Sequence, residues 1–301
     1  MKLSDVVGQF SGKMVSDGTF TSVAFATDPL DVPFLTFFEK EKFAPFLQNP
    51  HISCVLTRAE YLSMVPSHVQ GIFLCEDPKF TLFQIHNELT RSVDYIGETT
   101  KTVIGEGCSI SPLAYIASEN IVIGNHVTIE PFAVIKGRTT IGDNVVVRSG
   151  AMIGCKGFNF SKDSRGEIHS VIDAGRVVIE NNVELFEGSI VTSGMFPWNR
   201  TCIKRNTKVG PKCVIGHGSI IGKNCLVAAR AFCCGNSRIG DNVWIGVGGI
   251  VSNRITVEEN ARVSIGSVVT KNVPTGQTVT GNFAIEHKVF MSNLKRSIEE
   301  K

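Results

Sequence analysis

Reading every sixth residue from Ile203 gives Ile203, Val209, Ile215, Ile221, Val227, Cys233, Ile239, Ile245, Val251, Val257, Val263 and Val269. All are apolar, and all but Cys233 are Ile or Val. Glycine follows at Gly210, Gly216, Gly222, Gly240 and Gly246, and the fifth place of most units is small, as at Cys213, Ser219, Cys225, Ala231 and Ser237. A period of six held in frame over nearly seventy residues is an internal repeat. A hexapeptide period describes a parallel β-helix, with one short strand per unit and three units per coil of about eighteen residues. The branched residue points inward onto its equivalents above and below, and the small residue leaves room at the corner.

The frame starts earlier. Hexads begin at Ile104 and Ile110, slip by one residue near 117–121, and continue through Ile123, Ile129, Ile135, Ile141, Val147 and Ile153. A Gly-, Ser- and charge-containing excursion over 157–176 breaks them. They resume at Ile179, Leu185 and Val191, and a second excursion at 195–202 carries Met195-Phe196-Pro197-Trp198-Asn199-Arg200. Loops that leave a solenoid cost little stability and commonly carry function. Residues 1–98 do not repeat; they read as alternating short helices and strands, with Pro78 at the first position of a helix. Residues 276–301 read as one amphipathic helix from about Phe283, with Ile285, Val289, Phe290, Leu294 and Ile298 near one face, suited to capping the solenoid or packing on a second copy. The expected protein is mainly β: an N-terminal α/β domain over 1–98, a β-helix over 99–275 and a C-terminal helix.

Thirty Lys and Arg against 28 Asp and Glu give no field to attract nucleic acid or an anionic membrane. No run approaches the roughly 18 apolar residues of a membrane span, and Met1-Lys2-Leu3-Ser4-Asp5 lacks the apolar core of a signal peptide, so a cytoplasmic protein is expected. The nine cysteines include no CxxC pair. Cys108, Cys213 and Cys225 take the small slot of a hexad and Cys233 an apolar one, which is core packing rather than metal or disulfide chemistry.

The segment Ile153-Gly154-Cys155-Lys156-Gly157-Phe158-Asn159-Phe160, followed by Ile215-Gly216-His217 after an α/β domain and hexads, resembles the bacterial UDP-3-O-acylglucosamine N-acyltransferases. It is equally similar to their relatives that acylate the amino group of nucleotide-linked deoxysugars. The resemblance covers nearly the whole chain. It implies a left-handed β-helix, an exception to the usual right-handed crossover, a homotrimer with active sites between copies, and an acyl thioester donor. It also implies that His217 is the general base and that the Gly235 N–H holds the thioester oxygen. A coil of eighteen residues places His217, Gly235 and Asn253 on one edge.

The chain departs from the lipid A enzymes at Asn253, where they carry a second histidine, and at Gly210-Pro211, where they carry Asp-Asn. It departs again at Phe34-Leu35-Thr36-Phe37-Phe38-Glu39-Lys40, which lacks the Asn-Pro of their nucleotide-binding segment. Its ending, with Gly281-Asn282-Phe283-Ala284, resembles the coenzyme A-dependent sugar N-acetyltransferases. The first reading is therefore an N-acyltransferase from acyl-CoA to a dTDP- or UDP-linked amino sugar, serving surface polysaccharide synthesis; the alternative is UDP-3-O-(3-hydroxyacyl)glucosamine N-acyltransferase of lipid A synthesis. Neutral imidazole suits removal of a proton from an attacking amine, and a glycine N–H suits a developing oxyanion. Phe158, Phe160, Phe196 and Trp198 in the excursions are candidates for stacking on base or sugar, joined at the substrate by His169 and Asn253. Arg230, Gly248, Arg254 and Lys271 are candidates to meet coenzyme A, the basic three through its phosphates. His126 reads as a solvated corner, and His51, His68, His86 and His287 as ordinary surface or domain residues.

Two other classes compete. A zinc hydratase on a β-helix needs three histidines at one site, and Gly235 and Asn253 stand where two of them would be stacked on His217. A non-catalytic scaffold needs no α/β domain, excursions and corner histidine together. No metal is expected.

Overall fold

The computed structural model describes residues 1–281 and 284–299; Phe283, the expected start of the last helix, lies outside them. The chain opens with α1 (Leu3–Val7), β1 (Lys13–Ser16), β2 (Ser22–Val23), β3 (Phe34–Phe38), β4 (Ile52–Thr57), β5 (Gly71–Leu74), α2 (Pro78–Leu89) and α3 (Val93–Ile96). The sheet order is β1-β5-β4-β3-β2, parallel except for β1 against β5. β3 and β4 are almost wholly buried because both faces of a parallel sheet are covered. Leu35, Cys54 and Leu56 pack with Leu3, Leu82 and Phe83 on one side, and Phe34, Phe38, Ile52 and Val55 with Leu47 on the other. After β3 the chain forms a 3-10 segment, Glu41–Gln48, with Pro45 inside it; proline removes an α-helical donor.

The repeats build three parallel sheets of nine, eight and eight strands. Within one coil, Lys208–Val209, Val214–Ile215 and Ile220–Ile221 supply the first, second and third faces of a prism. Ile215 pairs with Cys233, and Cys233 with Val251, a coil of eighteen residues. Lower down Ile110 pairs with Ile129, nineteen residues on, which absorbs the slip at 117–121. The inward column is buried from Ile123 to Val269, Cys233 included, and so are Cys213 and Cys225 in the small slots. Asn206, Asn224, Asn242 and Asn260 turn one edge at positive φ, a conformation that asparagine tolerates, and their amides form a ladder along it. The solenoid runs past residue 275, since Thr278–Val279 pairs with Arg262–Val263. The C-terminal helix, α4 (His287–Glu299), leaves Val289, Phe290, Leu294 and Ile298 exposed. In the single chain it does not cap the solenoid.

The two excursions join the halves of the molecule. The first folds into a hairpin, Phe160–Lys162 against Ile168–Ser170. Its Val171, with Met195 and Phe196 from the second, completes the core beneath α2. Contrary to its ordinary-looking sequence setting, His86 is fully enclosed, and burial pushes its pKa down to about 4. Its Nε2 donates to the Ile172 carbonyl (2.8 Å) and its Nδ1 accepts from the Tyr95 hydroxyl (2.9 Å). Asn87 bonds the Ser170 carbonyl and the Ile172 N–H.

Candidate active site

Both excursions leave from one corner, between the second and third faces: residues 156–175 separate Met152–Cys155 from Arg176–Ile179, and residues 193–199 separate Ile190–Thr192 from Arg200–Ile203. On the next coil the same corner is Gly216-His217-Gly218-Ser219. Continuing the eighteen-residue pairing, Gly235, Asn253 and Lys271 stand above His217 along this edge.

The His217 ring lies against Gly235: a Cβ built there would sit 2.4 Å from His217 Nε2. Glycine is therefore required by the ring rather than by a left-handed backbone. The Gly235 N–H makes no hydrogen bond among the described residues, as at His217 and Asn253 on the same corner, while the Gly235 carbonyl accepts from the Arg254 N–H. Replacing Gly235 by alanine is expected to displace the ring and lower turnover by about 10²-fold, the cost of misplacing a reacting group by about 1 Å. Circular dichroism and the melting temperature should stay near those of the parent protein; unchanged turnover would separate His217 from the chemistry.

The other side of the ring faces inward. His217 Nδ1 is buried and has no hydrogen-bond partner among the described residues. The ring lines a small cavity with Phe25, Asp28, Met195, Phe196, Asn199 and Asn236. Burial lowers the His217 pKa below the usual imidazole value, Asp173 opposes that, and Arg254 adds to it. The base is thus held neutral. Asp173 is in turn held by the Gly157 N–H and Asn159 Nδ2, each at 2.6 Å, although burial raises its pKa. Asp28, Asp173, Asn199 and Asn236 were not among the candidates read from sequence. Only Asn236, eighteen residues beyond Gly218, was reachable from the repeat; Asp28 arrives from the N-terminal domain by folding.

Several expected contacts are placed elsewhere. Phe196 is 2% exposed, packed against Phe25, His86 and Trp198, so it offers no face to a ligand. Trp198 stacks on Phe196 and donates Nε1–H to the Val23 carbonyl (2.9 Å); it anchors the N-terminal domain. Phe158, 94% exposed, and Phe160 form an edge-to-face pair open to solvent. His169 packs on Phe80 and lies 3.3 Å from Asp163, outside the His217 cavity. Arg254 contacts Thr27 Oγ1 (2.7 Å), Asp28 (3.7 Å) and the Phe25 ring. Arg230 and Gly248 turn the corner between the first and second faces, a different edge from that of His217. Asn253 and Lys271 are exposed on the His217 edge. Among the described residues one group, Asp163, Glu167 and His169, brings ligand atoms within 4.8 Å; Arg165 pairs with both carboxylates at 3.4 Å.

The family model described as bacterial transferase hexapeptide (six repeats) matches residues 120–155. A solved UDP-N-acetylglucosamine acyltransferase from Campylobacter jejuni superimposes with a TM-score of 0.54 at 24% identity, covering 66% of this chain and 79% of that one. Repeat, sheets and this likeness define a left-handed parallel β-helix built of hexapeptide repeats. Within that class the chain is 26% identical to the UDP-3-O-acylglucosamine N-acyltransferase of Coxiella burnetii, over 79% of this chain and 75% of that protein. It is 36% identical to the enzyme of that name from Rhizobium meliloti, over 47% of this chain and 39% of that protein. The chain spans about half or less of the first curated relatives it matches. The resemblance drawn from the His217 hexad and the Gly157–Phe160 segment is borne out by these relatives.

Proposed function

We propose that this protein transfers an acyl group from a thioester to the amino group of a UDP-linked glucosamine derivative. The observation that carries the reading is His217, half-buried, lying against Gly235, whose N–H makes no hydrogen bond among the described residues, on the edge of the prism. The acceptor amine attacks the thioester carbonyl, His217 Nε2 takes the amine's proton, and the Gly235 N–H holds the oxygen as it gains charge. Collapse restores the carbonyl and expels the thiolate, which takes up a proton.

The names of the relatives favour the lipid A acceptor over the first reading, a deoxysugar acylated from acyl-CoA. One observation supports that first reading. Phe34 and Thr36 are buried, and the Phe37 ring packs edge-on to Phe25 at 6.1 Å, so the segment that lacks Asn-Pro is filled by aromatic packing. A homotrimer fits the surface: Phe232, Ile250 and Val268 stack outward on the second face, and Val247 and Ile265 stand beside them, all exposed. A second copy covering this strip would border the His217 edge. Among the described residues no helix is long and apolar enough to cross a membrane, in keeping with a cytoplasmic site of action.

Thermal shifts with UDP- and dTDP-linked amino sugars, each with coenzyme A or an acyl carrier protein, test the reading. Stabilisation by the UDP-linked ligand alone is expected, about 2.7 kcal/mol at one hundred times Kd. Stabilisation by the dTDP sugar alone would restore the first reading. No response to any ligand would favour a scaffold.

A further inference from the structure

We propose that Asp28 is a positioning residue for His217, acting through one water held in the small cavity that both residues line, so that the N-terminal domain sets the tautomer of the base. The inference rests on the reading of His217 as a general base. The cavity measures about 10 Å³, near the least that admits one water, and a buried water needs two to four polar partners. Its polar lining is Asp28, Asn199, Asn236 and His217. The buried Nδ1 lacks a protein partner, a cost of about 1–3 kcal/mol if left so.

Donor and acceptor counts select one arrangement. A base that works through Nε2 needs its lone pair there, so the neutral ring carries its proton on Nδ1. Nδ1–H donates to the water, and the water donates onward to the Asp28 carboxylate. Two contacts hold that carboxylate in place. Its Oδ2 accepts the Phe25 N–H at 2.9 Å, and Arg254 stands 3.7 Å from Oδ1 while bonding Thr27 and covering the Phe25 ring. The other charged groups near the ring, Asp173 included, lie outside the cavity lining. Arg238 donates to the Gly218 and Ser237 carbonyls, and Asp173 accepts from Gly157 and Asn159. Of the carboxylates near the ring Asp28 is the one that lines the cavity, so it receives the water, and it stabilises the imidazolium that forms as the amine loses its proton.

Asp28→Asn keeps the side chain's size and removes its charge. Losing a group that orients a histidine through its second nitrogen typically costs 10–100-fold. A fall of that size in kcat is expected with UDP-3-O-acylglucosamine and an acyl thioester, KM staying constant. The acid limb of kcat/KM should move to lower pH, because the imidazolium loses a favourable negative charge. Arg254→Met loosens the same domain contact but removes a positive charge, so it should move that limb the opposite way. Equal losses in both variants with no shift of either limb would reduce Asp28 to a structural tether. Nitrogen-15 NMR of the imidazoles, assigned with His217→Gln, reads the tautomer without any turnover. Nδ1–H is expected in the parent protein and a mixed tautomer in Asp28→Asn. Nε2–H in the parent protein would overturn the proposal, even if transfer is active and depends on His217. Absence of transfer with Nδ1–H present would instead count against the acyltransferase reading alone.

Discussion

His217→Asn should lower kcat by at least about 10²-fold, the usual scale for a lost general base, while leaving assembly and melting temperature near those of the parent protein. Asparagine keeps a polar group at the corner but has no basic nitrogen to accept the amine's proton. The position tolerates the change because the inward column, Ile215 and Ser219 beside it, is untouched. In the parent protein the acid limb of kcat/KM should lie below pH 6.5, since burial lowers the His217 pKa from that value. Activity is kept above the folded-state pKa and lost as pH falls through it. The same depressed pKa makes stability fall with pH below about 6.5, where the unfolded chain binds a proton that the folded one refuses. Purified variant and parent should be compared by single-turnover assay. Near-parental turnover would remove His217 from the chemistry and leave the proton to water or the departing thiolate.

Phe196→Ala should cost about 3–5 kcal/mol of stability, as truncation of a buried aromatic does. The ring meets Phe25 at 5.3 Å, His86 at 5.1 Å and Trp198 at 6.1 Å, the last nearly parallel. It fills the space where α2, the loop after β2 and the second excursion converge. Guanidinium unfolding followed by tryptophan fluorescence reports on this junction through Trp198. A loss below about 1 kcal/mol would mean that the N-terminal domain is held chiefly by the hairpin and the His86 bonds. The variant should also lose turnover, since Phe196 lines the cavity behind His217.

These two residues show where sequence reading succeeds and where it stops. His217 was legible because a titratable side chain interrupts a lattice of small and apolar ones, and because the period of six gives each residue an address along the axis. Phe196 was legible only as an aromatic in an excursion, equally suited to a ligand or to a core. The structure assigns it to the core because the N-terminal domain lies over that corner and needs the ring to fill the gap. The Arg254 contact with Asp28 was not legible for the same reason: the two are 226 residues apart in sequence and come from different domains.

The sequence by itself determined the β-helix, its eighteen-residue coil and the stacking of His217, Gly235, Asn253 and Lys271, because a repeat converts linear distance into spatial register. Only the tertiary structure decided that the second excursion and a loop of the N-terminal domain converge beside His217 and line a small cavity with it. That outcome depends on packing between segments that share no period, which long-range contacts settle and local pattern cannot.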